Sequence, residues 1–183
     1  DFPTTPSAYD TSNNGGYDIF VARLNSSASD LLYSTFLGGT LADYAYAKDL
    51  VLSPSGIVTI AGATFSSNFP TTSGAYDETY NGTYDGFVTQ FDASLSNLLY
   101  SSYLGGSGID AIGSMAIDIQ GKFVVVGVCE PGFPTTPGAY DTSHNGLQDV
   151  FISRMSLDGY GQADLIYSTY LGTTSYEWAS SVA

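Results

Sequence analysis

The stretch LLYSTFLGG, residues 31–39, occurs three times in this chain. It returns as LLYSSYLGG from Leu98 and as LIYSTYLGT from Leu165, so equivalent residues of successive copies are 67 positions apart. Self-similarity at a fixed period is the mark of a repeat architecture, in which each period forms one supersecondary unit. We therefore expect the chain to fold as a series of like units.

Two further blocks recur in the same order around this stretch. DFPTTPSAYD begins at position 1 and returns, with small changes, at positions 68 and 132. YDIFVARL begins at position 17 and returns as YDGFVTQF at 84 and QDVFISRM at 148. Because three long blocks keep one order, the repeat spans the whole chain.

Each period holds short segments rich in Val, Ile, Phe, Tyr and Thr and bounded by Gly, Pro, Asn and Ser, which is the pattern of β-strands. We predict strands over residues 19–24, 32–37, 47–52 and 57–62, with 114–119 and 122–127 as later copies of the last two. No segment has the sustained period and caps of an α-helix. Four strands per period are typical of a propeller blade. The predicted fold is all-β, with tandem four-stranded antiparallel blades of propeller type.

The combination FPTTPGAY, DxFVxxL, LxYSTYLGG and VxVxG resembles the seven-bladed β-propeller repeat of bacterial and archaeal surface proteins. The resemblance covers essentially the whole chain, and it implies a large secreted or cell-surface protein without assigned catalytic residues. Two features depart from the related repeats. An aspartate follows the GAY-type motif where those repeats often carry Gln, and the third LGG is LGT at residues 171–173.

The phase of the repeat divides the chain unevenly. Residues 1–39 are expected to form the outer half of a first blade, 40–106 a second blade, 107–173 a third, and 174–183 the inner strand of a further blade. These are about two and three-quarter repeats, whereas a closed ring needs at least about four blades. The predicted ring is therefore incomplete, which fits a piece of a longer protein, an assembly of several chains, or an open stack of sheets.

The charge balance excludes some partners. The chain has 4 Lys and Arg against 18 Asp and Glu, for a formal charge of −14. A nucleic-acid binder needs a basic surface to neutralise phosphates, so we expect no nucleic-acid partner. No apolar run approaches the roughly 18–20 residues of a membrane span, so we also expect no membrane insertion.

A loop between the GAY motif and the next strand is the best candidate for a binding site. Oxygen-bearing side chains recur at its positions 1, 3, 5 and 9, with Gly at position 6, which is the spacing of a calcium loop. The candidate ligands of Ca²⁺ are Asp10, Ser12, Asn14, Asp18, Asp77, Thr79, Asn81, Asp85, Asp141, Ser143, Asn145 and Asp149. The glutamate that calcium loops carry at position 12 is absent. The alternative is an Asn-Gly turn whose aspartates bond local backbone N–H groups.

Two sequons predict sites of N-linked glycosylation. They begin at Asn25 and Asn81, and both fall in expected surface loops, as modification would require. Such tripeptides also occur by chance, so unmodified asparagines are the alternative.

Catalytic groups are scarce. His144 is the single histidine, and it stands at a loop position occupied by Asn13 and Tyr80 in the other copies. A serine or cysteine triad cannot be assembled without a suitable base. Cys129 follows an apolar strand and is expected to be a buried, inert thiol. We therefore predict that the protein is not an enzyme.

The sequence as a whole predicts a non-enzymatic structural or adhesive repeat protein, extracellular or at the cell surface. Open blade edges can recruit strands from another chain, so we expect self-association, or pairing with neighbouring repeats of the same protein, in a filament or surface assembly. The alternative is a carbohydrate-binding propeller module of a larger secreted protein, with glycans as partners. A glycoside-active enzyme is a third, weaker reading.

Overall fold

The computed structural model describes residues 2–45 and 50–183. The strands are β1 (Ile19–Leu24), β2 (Leu31–Leu37), β3 (Asp43–Tyr44), β4 (Leu50–Leu52), β5 (Val58–Thr64), β6 (Asp85–Phe91), β7 (Leu98–Leu104), β8 (Ala111–Ile117), β9 (Phe123–Cys129), β10 (Asp149–Met155) and β11 (Leu165–Leu171). The described residues contain no α-helix, and one 3-10 turn covers Gly161–Asp164. The prediction of an all-β fold is confirmed.

The strands form three antiparallel sheets, and none of them is closed. The first sheet holds only β1 and β2. The second has the order β3-β5-β6-β7, with β4 pairing the same side of β5 as β3. The third has the order β8-β9-β10-β11. The sequence predicts four strands per unit, whereas these sheets have two, five and four strands, and the described strands form no ring.

The inner strand of the third sheet begins earlier than the sequence suggests. We expected it over 114–119, but it runs from Ala111 to Ile117. The Asp118 carboxylate ends the strand, because its Oδ1 accepts the N–H groups of Gln120 (2.8 Å) and Lys122 (2.9 Å) and so closes a turn. Gly121, at φ +75°, supplies the left-handed residue of this turn. In the matching segment, 47–52, residues 47–49 lie outside the described residues.

The sequence also predicts an inner strand within residues 174–183, but the structure has no strand there. Residues 177–183 form no strand, although Glu177 N donates to Gln148 O at 3.0 Å. They run beside the third sheet instead, where Val182 N donates to the Ser114 hydroxyl at 3.2 Å. A strand forms only when it pairs with a neighbouring strand. β5 is the neighbour of β3 and β4, and β9 is the neighbour of β8, but residues 177–183 have no such neighbour among the described strands.

Short parallel bridges join each sheet to the segment that follows it. They pair Tyr17 with Ala42, Tyr84 with Ile109, and Gln148 with Tyr176. At each bridge the residue after the second partner donates its N–H back to the first, as Asp110 N does to Tyr84 O at 3.0 Å. The bridges therefore fix how consecutive sheets are placed.

The repeated FPTTPGAYD segment covers the outer edge of each sheet. Thr5, Thr72 and Thr136 donate their N–H groups to carbonyls of β2, β7 and β11 at 2.9–3.1 Å. Proline cannot continue a strand ladder, so the segment blocks the outer edge against further pairing. The sequence block that marks the repeat thus has a structural role at the sheet edge.

The core lies between the sheets. One cluster packs the first sheet on the second around Phe87, Phe91 and Tyr103, and another packs the second on the third around Leu104, Ile112 and Phe151. Each of these side chains is buried, and burying one stabilises the fold by about 1.5–3 kcal/mol. The sheets therefore depend on each other for their apolar cores.

Candidate functional site

The acidic loops, residues 10–18, 77–85 and 141–149, have the same geometry in all three copies. In each loop Oδ1 of the first aspartate accepts the backbone N–H of the residue two positions on. The distances are 2.9 Å to Ser12, 2.8 Å to Thr79 and 2.8 Å to Ser143. This is an Asx turn, in which the side chain replaces a backbone acceptor.

The asparagine of each loop ties the first aspartate to the last. In the second copy, Asn81 Nδ2 donates to Asp77 Oδ2 at 2.7 Å, and Asn81 N donates to Asp85 Oδ2 at 2.8 Å. The same bonds recur in the first and third copies, through Asn14 and Asn145. Both oxygens of the first aspartate and one oxygen of the last are thus engaged by the loop itself, as in the capped-turn alternative.

In each loop, one carboxylate oxygen of the last aspartate accepts no hydrogen bond. Oδ1 of Asp18, Asp85 and Asp149 is buried without a hydrogen-bond partner. In the second copy this atom faces Gly105, where an added Cβ would lie 2.6 Å from it. Asp85 is fully shielded from solvent, so an unmatched oxygen here carries a free-energy cost.

A second series of acids lies directly after the parallel bridges and meets the loops. Asp43, Asp110 and Glu177 occupy equivalent positions, directly after the parallel bridges. Asp110 Oδ2 accepts Gly106 N at 2.6 Å and its Oδ1 accepts Glu130 N at 3.3 Å, and Asp110 is fully buried. Sequence reasoning missed this series, although its regular recurrence was visible.

The two series of acids form pairs across the sheet junctions. A Cβ placed on Gly105 would be 2.6 Å from Asp85 Oδ1 and 3.1 Å from Asp110 Oδ2, so both carboxylates crowd one glycine. The first junction has the same arrangement, with Asp18 and Asp43 crowding Gly38. The packing leaves no room for a side chain at these glycines, which explains the first glycine of the LGG motif.

Burial changes the acidity of the paired carboxyls. Desolvation raises the pKa of Asp85 to about 6 and that of Asp110 to about 7. It also raises the pKa of Asp18 and of Asp43. The charged form is disfavoured because these groups leave water without gaining a cationic neighbour.

Two of the basic residues, Lys122 and Arg154, form ion pairs away from the junctions. Among residues 2–45 and 50–183 the ion pairs are Lys122–Asp158 at 2.8 Å and Arg154–Asp118 at 2.6 Å, both at the hairpin end of the third sheet. No group of three or more His, Cys, Asp or Glu side chains is arranged as a metal site within these described ranges. The junctions instead combine two carboxylates with backbone carbonyl oxygens.

The two sequon asparagines lie on the surface and already make hydrogen bonds. Asn25 Nδ2 donates to Asp30 Oδ2 at 2.6 Å, and Asn25 Oδ1 accepts Ser29 N at 2.9 Å. Asn81 Nδ2 holds the acidic loop closed through Asp77. A glycan on either asparagine would therefore compete with the hydrogen bonds that its Nδ2 donates.

The remaining reactive side chains are packed rather than presented. Cys129 is fully buried, and desolvation raises the pKa of its thiol far above the usual range. The expectation of a buried thiol is confirmed. The His144 ring packs edge-on against Tyr170, with ring centroids 5.8 Å apart.

No protein-family model matches this chain, and no curated protein sequence matches it either. In the part of the chain that the structure describes, no helix is long and apolar enough to cross a membrane.

Proposed function

We propose that this chain is a non-enzymatic structural or adhesive repeat segment of an extracellular or cell-surface protein. Its repeats would associate with further repeats of the same kind, from the same polypeptide or from a neighbouring chain, and build a propeller, filament or surface layer. The resemblance to propeller repeats of surface proteins supports the location and the ring-like arrangement.

The observation that carries this proposal is the difference between β1 and its equivalents. Strands β6 and β10 each pair with neighbours on both sides, whereas β1 pairs only with β2. Phe20 and Leu24 of β1 are each half exposed, while their equivalents in β6 and β10 are fully buried. The equivalent residues are Phe87, Phe91, Phe151 and Met155.

The occupant of this open edge follows from the other two sheets. There the edge is filled by β5 and β9, with sequences VTIAGAT and FVVVGVC. An unpaired strand edge with exposed apolar side chains favours strand addition. A strand of the β5 or β9 type is therefore the partner that fits. It would pair with β1 in the register that β5 has with β6 and β9 has with β10.

A labelled peptide of residues 57–64 tests this proposal. We expect it to bind the chain, as measured by fluorescence anisotropy, and to reduce any association seen by light scattering. The control peptide carries proline at the position of Ile60, which removes a ladder donor. On the protein side, Phe20→Lys with Leu24→Lys should abolish binding of the unmodified peptide.

Two results would contradict the proposal. One is a chain that stays monomeric at high concentration and ignores both peptides. The other is peptide binding that persists unchanged in the double lysine variant, because the peptide would then be contacting some other surface.

A second candidate function is carbohydrate binding, and an aromatic cleft favours it. A cavity of 280 Å³ is lined by Trp178, Tyr84 and Gln148, with Trp178 mostly exposed. Near it the rings of Tyr84, Phe65 and Tyr44 follow one another at centroid distances of 4.6 and 6.2 Å. Aromatic faces beside a side-chain amide suit the apolar face and hydroxyl groups of a sugar.

A glycan array separates the two functions. Binding of a defined sugar by the monomer, lost in Trp178→Ala and kept in Tyr160→Ala, would support the binding module. Tyr160 is the control because it is an exposed aromatic away from the cleft. Peptide-dependent association without sugar binding would support the scaffold.

A further inference from the structure

The paired acids at the sheet junctions need a positive counter-charge that the described side chains do not supply. Asp43, Asp85, Asp110 and Asp149 are all buried, yet the ion pairs of the described ranges involve other acids. Burying an ionised carboxylate without a partner costs several kcal/mol. Among the described residues, this leaves a proton or a bound cation to neutralise the charge.

The second junction brings oxygens from several residues together. A Cβ on Gly82 would lie 2.9 Å from Asp85 Oδ1, 2.8 Å from Gly106 O, and still closer to Gly108 O. A Cβ on Gly105 would lie close to the same Asp85 oxygen and also to Asp110 Oδ2. The unpartnered Oδ1 of Asp85 thus lies in one neighbourhood with the Asp110 carboxylate and the carbonyls of Gly106 and Gly108.

We propose that each sheet junction binds a divalent cation, and that Ca²⁺ is the ion that fits. At the second junction its ligands would be the unpartnered Oδ1 of Asp85, the Asp110 carboxylate and the carbonyl oxygens of Gly106 and Gly108. Ca²⁺ accepts irregular sets of carboxylate and carbonyl oxygens, whereas Mg²⁺ demands a stricter geometry and keeps its waters. This site keeps only position 9 of the predicted calcium loop, because both carboxylate oxygens at position 1 are used in the turn.

The other junctions repeat the arrangement. At the first, Gly15 packs against the carbonyls of Gly39 and Leu41, and Asp18 and Asp43 supply the carboxylates. At the third, Gly146 packs against the carbonyls of Thr173 and Ser175, and Oδ1 of Asp149 is again unpartnered.

The third junction also accounts for the departure from LGG to LGT. Gly106 N donates to Asp110, whereas the Thr173 hydroxyl donates to the longer Glu177. A donor at this position of the motif therefore still bonds to the acid four residues later, although both residues have changed. Glu177 Oε2 stays without a hydrogen-bond partner, as expected for an atom that faces a ligand site.

Titration of chelator-treated protein with CaCl₂ at pH 7.5 tests the proposal, read by calorimetry and by melting temperature. We expect a binding heat, and a rise in melting temperature of about 5 °C or more when Ca²⁺ exceeds its dissociation constant 100-fold. MgCl₂ should give a smaller rise. The readout needs no assembly, so its failure is distinct from failure of the proposed function.

The variants locate the site. Asp110→Asn should remove binding at one junction and lower the stoichiometry, whereas Asp77→Asn, which alters only the turn, should keep it. If Asp110→Asn does not fold, Asp43→Asn provides the same loss at the first junction. Each variant is compared with its own metal-free melting temperature.

Three results would overturn the proposal. The first is the absence of any heat or melting shift with Ca²⁺, together with infrared bands of protonated carboxyls at neutral pH, because protons would then supply the counter-charge. The second is loss of binding in Asp77→Asn with full binding in Asp110→Asn, which would move the ion into the loop. The third is unchanged stoichiometry in both junction variants.

Discussion

The second and third sheets have nearly the same sequence motifs but different exposure. Tyr76 is 7% exposed and Leu104 is fully buried, whereas their equivalents Tyr140 and Leu171 are 81% and 47% exposed. The second sheet has a described sheet on each side, and the third has one on only one side. Burial in this fold is therefore decided by the neighbouring unit rather than by the local motif, as in other repeat architectures.

The largest effect is expected from a substitution in the core between the first and second sheets. Phe87→Ala should lower the free energy of unfolding by about 3–5 kcal/mol, because it leaves a cavity between the first two sheets. Phe20→Ala removes an equivalent but half-exposed ring and should cost clearly less. Urea denaturation of both variants measures the difference. Equal losses would mean that neighbouring sheets do not set the stability.

A second prediction concerns pH in the absence of metal. The folded pKa values of about 6 for Asp85 and about 7 for Asp110 lie above the unfolded value, so their stabilising effect is present in full below about pH 4. It is lost as the pH rises through 6 and 7. The metal-free melting temperature should thus fall between pH 5 and pH 8.

The junction between the second and third sheets should be responsible for much of that fall. Asp110 is surrounded by Asp85, Glu130, Cys129 and Tyr170, and none of these is cationic. Asp110→Asn should flatten the pH profile, with Asp158→Asn as the control for loss of one acid at the surface. A wild-type profile in Asp110→Asn would contradict the assignment.

A smaller effect is expected from a single bond between the same two sheets. Gln162 Nε2 donates to Tyr76 O at 2.8 Å, and the exposed Tyr140 has no such partner among the described residues. Gln162→Ala should cost about 0.5–1.5 kcal/mol, since one partly buried hydrogen bond is lost. Thermal unfolding measures this loss. An unchanged midpoint would show that the hydrogen bond of Gln162 does not stabilise the contact between the two sheets.

The smallest effect should come from an ion pair that touches no junction. Lys122 and Asp158 are 2.8 Å apart but largely solvated, so Lys122→Ala should change the free energy of unfolding by about 0–1 kcal/mol. A loss as large as that of Phe87→Ala would show that the hairpin ends matter as much as the contacts between sheets.

The sequence predicts the strands better than the site. The limits of β1 match the prediction, because its run of apolar, strand-forming residues stands between clear turn residues. The inner strand is misplaced, since its start is fixed by the parallel bridge at Ile109, a contact with no local signal. The acidic loops were found by their spacing, and their aspartates act as turn caps.

The paired acids were missed for a physical reason. Asp85 and Asp110 belong to different repeats, and only the stacking of two sheets brings them together. Strand patterns describe one sheet at a time. The regular recurrence of Asp43, Asp110 and Glu177 was a usable signal, but its meaning depended on contacts between sheets.

The parallel bridges have a mechanical consequence. The first two each connect two consecutive sheets through backbone hydrogen bonds, such as Thr83 N to Gly108 O at 2.8 Å and Asp110 N to Tyr84 O at 3.0 Å. When the chain is pulled from its ends, the force should first act on the hydrogen bonds of these bridges. The strands within a sheet should separate only after those bonds have broken. Sheets should then yield one after another, each releasing one repeat of about 200 Å of extended chain. Such a protein would lengthen in steps under load while its remaining units stay intact.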